Sequence, residues 1–74
     1  MTNVDFLLEL SVFDLQDLLD DAHDRVDNAR GLRETTKAVD WKRCVQAARR
    51  IVRDGTTEKR ACAFNSARRD FLSH

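Results

Sequence analysis

The chain has 74 residues, of which 42% are hydrophobic and 35% are charged, with no proline and two glycines. This composition excludes a disordered chain, which would be less apolar, and a membrane-spanning chain, which would need a longer uncharged apolar run. At this length the chain can form one domain at most, residues 1–74, and its core is so small that self-association is expected.

The net charge of zero conceals two halves of opposite charge. Residues 1–32 hold eight acids and two bases, a net charge of −6, whereas residues 33–74 hold eleven bases and five acids, a net charge of +6. The simplest interpretation is that the halves pack on each other, within one chain or across a dimer. The alternatives are a basic half that binds nucleic acid and an acidic half that attracts a basic partner.

The first predicted helix covers about residues 4–30, either unbroken or interrupted at Ser11. Its apolar positions recur at helical spacing and form one stripe, with aspartates on the opposite side. The stripe is Leu15, Leu18, Leu19, Ala22, Val26 and Ala29. Ser11 is typical of a helix N-cap. Gly31 is expected to end the helix in a left-handed conformation, with Leu32 folded back on Val26.

Three apolar residues near the N-terminus have two interpretations. In an unbroken helix, Phe6, Leu10 and Phe13 form a second apolar stripe on the acidic side, which is typical of a partner-binding surface. A bend at Ser11 would instead fold Phe6 and Phe13 into the core. Under the first interpretation, the candidate partner-binding residues are Phe6, Leu10, Phe13, Asp17 and Asp20.

The second predicted helix covers about residues 37–54, and Gly55 marks its end. One face is apolar and consists of Ala38, Trp41, Cys44, Val45, Ala48, Ile51 and Val52. Its N-cap is Thr35, Thr36 or Asp40. The third helix covers about residues 57–72, is capped by Thr56 or Thr57, and has a weaker apolar stripe. The prediction is an all-α fold, an antiparallel helical hairpin with a third short helix, assembled as a homodimeric bundle.

Nothing in the sequence predicts an enzyme, a cofactor or a metal site. No glycine-rich phosphate loop is present, and neither cysteine has a nearby histidine or a CxxC partner. Cys44 and Cys62 are therefore expected to be unpaired core residues in a reducing cytoplasm. The N-terminus lacks the basic segment of a signal peptide, which also favours a cytoplasmic location.

The basic half permits a second functional hypothesis. Residues 51–64 have the outline of a helix-turn-helix with a glycine in the turn, which predicts a small DNA-binding regulator. The candidate nucleic-acid-binding residues are Arg49, Arg50, Arg53, Lys59, Arg60, Arg68 and Arg69. Repulsion between phosphates and the acidic half argues against this hypothesis.

The acidic segment Leu15-Gln16-Asp17-Leu18-Leu19-Asp20-Asp21 leads into Ala29-Arg30-Gly31-Leu32 and then into a basic helix around Trp41. In size and composition this pattern resembles small early proteins of phages that infect high-GC bacteria, in particular the phage quorum-sensing anti-activators. The resemblance implies a helical homodimer that binds a host transcription regulator or an assembly ATPase. It includes no diagnostic motif, so no functional residue is transferred. The first hypothesis is therefore a small non-catalytic protein that inhibits or modulates a host or cellular protein.

Overall fold

The computed structural model describes residues 4–73, and these residues are helical with no β-strand. A 3₁₀ helix spans Asp5–Glu9. Three α-helices follow: α1 spans Val12–Asn28, α2 spans Leu32–Asp54 and α3 spans Glu58–Leu72. The all-α prediction with three principal helices is therefore confirmed.

The break at Ser11 separates the 3₁₀ helix from α1. Leu10 and Ser11 both have extended backbones, with ψ values of 155° and 162°. The Asp14 backbone N–H donates to the Ser11 hydroxyl at 3.1 Å, which satisfies one of the free N–H groups of the first turn. The unbroken helix from Val4 is therefore wrong, and Ser11 is the N-cap of α1.

The connection between α1 and α2 differs from the prediction. Gly31 has a φ of +81°, but its ψ is 157°, and it serves as the N-cap of α2. The preceding helix ends at Asn28, with Ala29 extended after it. The side chain of Leu32 is 85% exposed and so is not folded back on Val26. The predicted left-handed cap at the end of α1 is wrong, because the glycine starts the next helix.

Helix α2 begins five residues earlier than predicted, and the proposed caps lie within it. The hydroxyls of Thr35 and Thr36 each donate at 2.8 Å to the carbonyl four residues earlier. This hydrogen bond gives a threonine hydroxyl a partner inside a helix, so neither threonine has to stand at the N-cap. Asp40 is also inside α2, where it is buried and paired with Arg43.

Helices α2 and α3 run side by side in opposite directions. Near the turn, the Thr57 hydroxyl accepts from the Arg60 backbone N–H at 3.2 Å and caps α3, as predicted, and Gly55 ends α2 with a φ of +93°. At the far end, the rings of Trp41 and Phe71 are 5.5 Å apart. Trp41 lies about 20 Å along α2 from the turn, so contact there requires an antiparallel pair.

The core lies where α2 meets the other three elements. The 3₁₀ helix, α1 and α3 all pack on α2, whereas α1 and α3 make little contact with each other. The α1 stripe is confirmed at its centre, where Leu15, Leu19 and Ala22 are buried. The other buried apolar residues are Val4, Leu7, Cys44, Val45, Ala48, Phe64 and Ala67. Helix α2 is therefore the central element of the fold.

Candidate functional site

Two aromatic side chains near the N-terminus are exposed in spite of the bend at Ser11. Phe13 is 84% exposed and Phe6 is 47% exposed. Leu10, in contrast, packs against the core as a half-buried side chain. The bend therefore places Val4 and Leu7 in the core and leaves both phenylalanines outside it. Of the predicted apolar anchors, Phe6 and Phe13 are accessible to a partner and Leu10 largely is not.

One side of α1 carries Phe13, Asp17, Asp20 and Asp24, and we call these four residues the α1 face. Their spacing of three or four residues puts them on one side of a helix. All four are exposed. The carboxylate of Asp20 accepts a hydrogen bond from the Gln16 amide at 3.0 Å, within the same helix. The α1 face therefore combines one aromatic ring with three carboxylates in solvent.

The acids of α1 do not pair with the basic helices of the same chain. Among residues 4–73, the ion pair of an α1 carboxylate is the one between Asp21 and Arg25, at 2.9 Å within α1. The reason is the helical period: burial of Leu15, Leu19 and Ala22 turns the aspartates about 180° away from α2. The two halves pack on each other within one chain, since α1 packs on α2, but in the described residues no ion pair joins these two helices.

A groove of about 580 Å³ lies along α2 and α3 on the side away from the α1 aspartates, and we call it the α2–α3 groove. Its apolar part is made of small side chains and one leucine: Leu19, Ala47, Ala63 and Ala67. Its cations are Arg43, Arg49, Arg50, Arg53, Lys59 and Arg60. No carboxylate of the described residues lines it. The groove is therefore a strongly positive surface with an apolar floor.

Three of these cations are partly satisfied by neighbouring groups. Arg43 donates from Nη1 to Asp70 at 3.0 Å and to Asp40 at 3.3 Å, and these bonds raise the pKa of its guanidinium. Arg53 pairs with Asp54 at 2.9 Å, and this hydrogen bond lowers the pKa of the Asp54 carboxyl. Arg60 donates to the carbonyl oxygens that end α2.

The other three cations of the groove form no ion pair with a described residue. These are Arg49, Arg50 and Lys59. The Nε of Arg49 is in addition buried and has no hydrogen-bond partner in the described chain. A buried donor without a partner destabilises by about 1–3 kcal/mol, so an acceptor that entered here would be stabilised. The groove therefore has the chemistry of an anion-binding surface.

The structure brings together five of the seven residues predicted to bind nucleic acid. Arg49, Arg50, Arg53, Lys59 and Arg60 line the groove. The other two lie outside its lining: Arg68 pairs with Asp5 at 2.9 Å, and Arg69 is exposed on α3. The sequence prediction missed Arg43 and the apolar floor of the groove. The signal was present, because Arg43, Ala47 and Arg50 follow helical spacing along one side of α2.

The predicted helix-turn-helix does not form. Helices of that motif cross at about 90–120°, whereas α2 and α3 stay in contact from the turn to Trp41 and Phe71. The hydroxyl of Thr57, at the start of what would be the recognition helix, is occupied as the cap of α3. The basic half therefore presents a groove between two antiparallel helices, and neither of them projects from the surface as a recognition helix does.

The two cysteines have different environments. Cys44 is fully buried in the core, and burial, followed by the nearby Asp40 carboxylate, raises the pKa of its thiol to about 11. Cys62 is an exposed free thiol on α3, so the expectation that both cysteines are core residues is wrong for this one. The described part of the chain contains no cluster of metal-ligating side chains. Within it, no helix is both long and apolar enough to cross a membrane.

Comparison of the chain with protein families, with curated proteins and with solved structures gave no match. No relative therefore bears on the function of the two surfaces, the α1 face and the α2–α3 groove.

Proposed function

We propose that this chain is a small non-catalytic binding protein that inhibits or modulates another protein and that associates with itself. The partner contacts the α1 face, with Phe13 as the apolar anchor and Asp17 and Asp20 as its charged surroundings. Phe6 extends the contact beyond the bend at Ser11.

The observation that carries this proposal is the exposure of Phe13. Its ring is 84% exposed on the first turn of a well-capped helix, where the buried stripe does not use it. Aromatic anchors contribute a large share of the binding free energy in protein interfaces, and their surroundings are often polar. An exposed ring amid carboxylates fits a partner surface that is apolar at its centre and basic at its rim.

The class of partner follows from the resemblance to small phage early proteins. That resemblance supports a host transcription regulator, met in the cytoplasm, as the first partner class to test. Self-association is supported by the small size of the core, since ten apolar residues are buried in the described chain.

The test compares two residues of equal exposure. Phe13 and Leu32 are 84% and 85% exposed, but only Phe13 lies on the α1 face. The wild-type chain and the variants F13A and L32A are each used to capture proteins from the native host. Captured proteins are then purified and titrated by calorimetry. We expect F13A to weaken binding at least about tenfold and L32A by less than about twofold. Equal binding by the wild-type chain and F13A contradicts the proposal.

A further inference from the structure

The cations of the α2–α3 groove are not balanced by carboxylates in its lining. Six cations line it, and Arg49, Arg50 and Lys59 form no ion pair with described residues. Such a concentration of like charge is unfavourable unless anions come close. The groove also offers an apolar floor between these cations. A small inorganic anion would balance the charge but would leave the apolar floor exposed to water.

A ligand that fits both parts carries several carboxylates beside an apolar group. The α1 face has this arrangement, because Phe13 is followed by Asp17, Asp20 and Asp24 on one side of a helix. The lengths also agree. From Phe13 to Asp24 the helix rises about 17 Å, and from Arg43 to Arg53 the groove follows α2 for about 15 Å.

The chain cannot place its own α1 face in its own groove. Leu19, from the buried stripe of α1, already lines the groove. The α1 face lies about 180° around the helix from that stripe, so it points away. A second copy of the chain has no such restriction. Its α1 face is exposed over the whole length, from Phe13 to Asp24.

We propose that the α1 face of one copy docks in the α2–α3 groove of a second copy. The Phe13 ring packs on the apolar floor. Asp17, Asp20 and Asp24 lie against Arg50, Lys59 and the other cations of the groove. This inference rests on the proposed self-association and names the surfaces that carry it. It also means that self-association and partner binding compete for the α1 face.

The first measurement is the molar mass of the wild-type chain at two salt concentrations. Sedimentation equilibrium at about 50 mM salt should give a species larger than the 8.6 kDa monomer. At about 500 mM salt, screening shortens the range of the charge interactions, and the dissociation constant should rise at least about tenfold.

The second measurement is a charge exchange between the two surfaces. The variant D17R/D20R reverses two of the three carboxylates of the α1 face, and R50E/K59E reverses two of the six cations of the groove, which leaves four cations and two carboxylates there. All four residues are exposed, so both variants should keep the helical circular dichroism of the wild-type chain. Each variant alone should self-associate at least about tenfold more weakly than the wild-type chain. An equimolar mixture should form a complex of one copy of each, because one complementary pair of surfaces is restored.

The matched control reverses charge elsewhere. Arg33 and Arg69 are exposed cations outside the groove lining, so R33E/R69E changes the net charge as much as R50E/K59E does. It should self-associate within about threefold of the wild-type chain.

Three results overturn the inference, and they are distinguishable. A monomer at every concentration and salt removes self-association as well as the docking, but leaves partner binding through Phe13 standing. A dimer that forms equally in all variants keeps self-association and rejects these surfaces. A monomer that binds a 20-base-pair duplex, with binding lost in R50E/K59E, assigns the groove to nucleic acid.

Discussion

Arg68 of α3 donates from Nη1 to the Asp5 carboxylate of the 3₁₀ helix at 2.9 Å. Among residues 4–73, this is the ion pair that joins an acid of the first 32 residues to a base of the remainder. Within the described residues, the two halves are thus joined by one ion pair. Asp17, Asp20 and Asp24 of the α1 face and Arg49, Arg50 and Lys59 of the groove form no ion pair with a described residue.

The Asp5–Arg68 pair should contribute little to stability. Its side chains are 49% and 36% exposed, and exposed pairs contribute about 1 kcal/mol at most. A double-mutant cycle with D5N and R68Q, measured by urea unfolding, should give a coupling free energy below about 1 kcal/mol that decreases further at high salt. A coupling of several kcal/mol, insensitive to salt, would show that this pair is an essential clamp on the N-terminal segment.

Phe13 should be dispensable for folding, whereas Leu15, on the opposite side of α1, should be essential. At high salt and low protein concentration, where the proposed dimer dissociates, F13A should change the free energy of unfolding by less than about 0.5 kcal/mol, because the ring is in solvent within one chain. L15A should cost about 2–5 kcal/mol, because Leu15 is fully buried and leaves a cavity. Chemical denaturation of both variants is the measurement. If F13A unfolds as readily as L15A, Phe13 belongs to a core that includes a second copy.

The hydroxyl of Thr57 should stabilise α3 more than the hydroxyl of Thr56 does. T57A removes the hydroxyl that accepts from the Arg60 N–H and should cost about 1 kcal/mol. T56A is the control, since Thr56 precedes the cap and is exposed. It should change the unfolding midpoint very little. A larger effect of T56A would mean that α3 begins one residue earlier.

Cys44 should make the protein less stable in alkaline solution. Its folded-state pKa of about 11 lies above the ordinary thiol value of about 8.5, so the folded state holds the proton more tightly. This contribution to stability is complete below about pH 8.5 and is lost as the pH rises towards 11. The difference in unfolding free energy between the wild-type chain and C44A should therefore shrink by up to roughly 3 kcal/mol over this range. Parallel pH profiles would contradict the burial of the thiol. C62S serves as the control because Cys62 is exposed.

Local sequence signals were sufficient for the helices themselves and for several of their ends. Gly55 was predicted as the end of α2, and Ser11 and Thr57 were among the alternatives for the two N-caps, because a serine or threonine hydroxyl can accept a backbone N–H of the first turn. Gly31 was not predicted correctly, because a glycine suits both the end of one helix and the start of another. In the structure Gly31 takes the second role, and the side chain of Leu32 beside it is exposed.

The candidate site was harder to predict because it depends on how the helices are rotated about their axes. The period of α1 predicts that Phe13 and Asp17 lie on the side opposite the buried stripe, but not that this stripe packs on α2. The groove requires α2 and α3 to lie antiparallel from the turn at Gly55 to Trp41 and Phe71. That arrangement follows from contacts such as Arg43 with Asp70, 27 residues apart, and no local pattern reports it.

The contact between Trp41 and Phe71 has a practical consequence. The chain has one tryptophan, and its ring lies 5.5 Å from a phenylalanine in the last turns of α3, at the end of the helix pair farthest from Gly55. Its intrinsic fluorescence therefore reports whether α3 is closed onto α2. A change in emission that precedes the loss of helical circular dichroism during denaturation would reveal α3 detaching before α1 and α2 unfold.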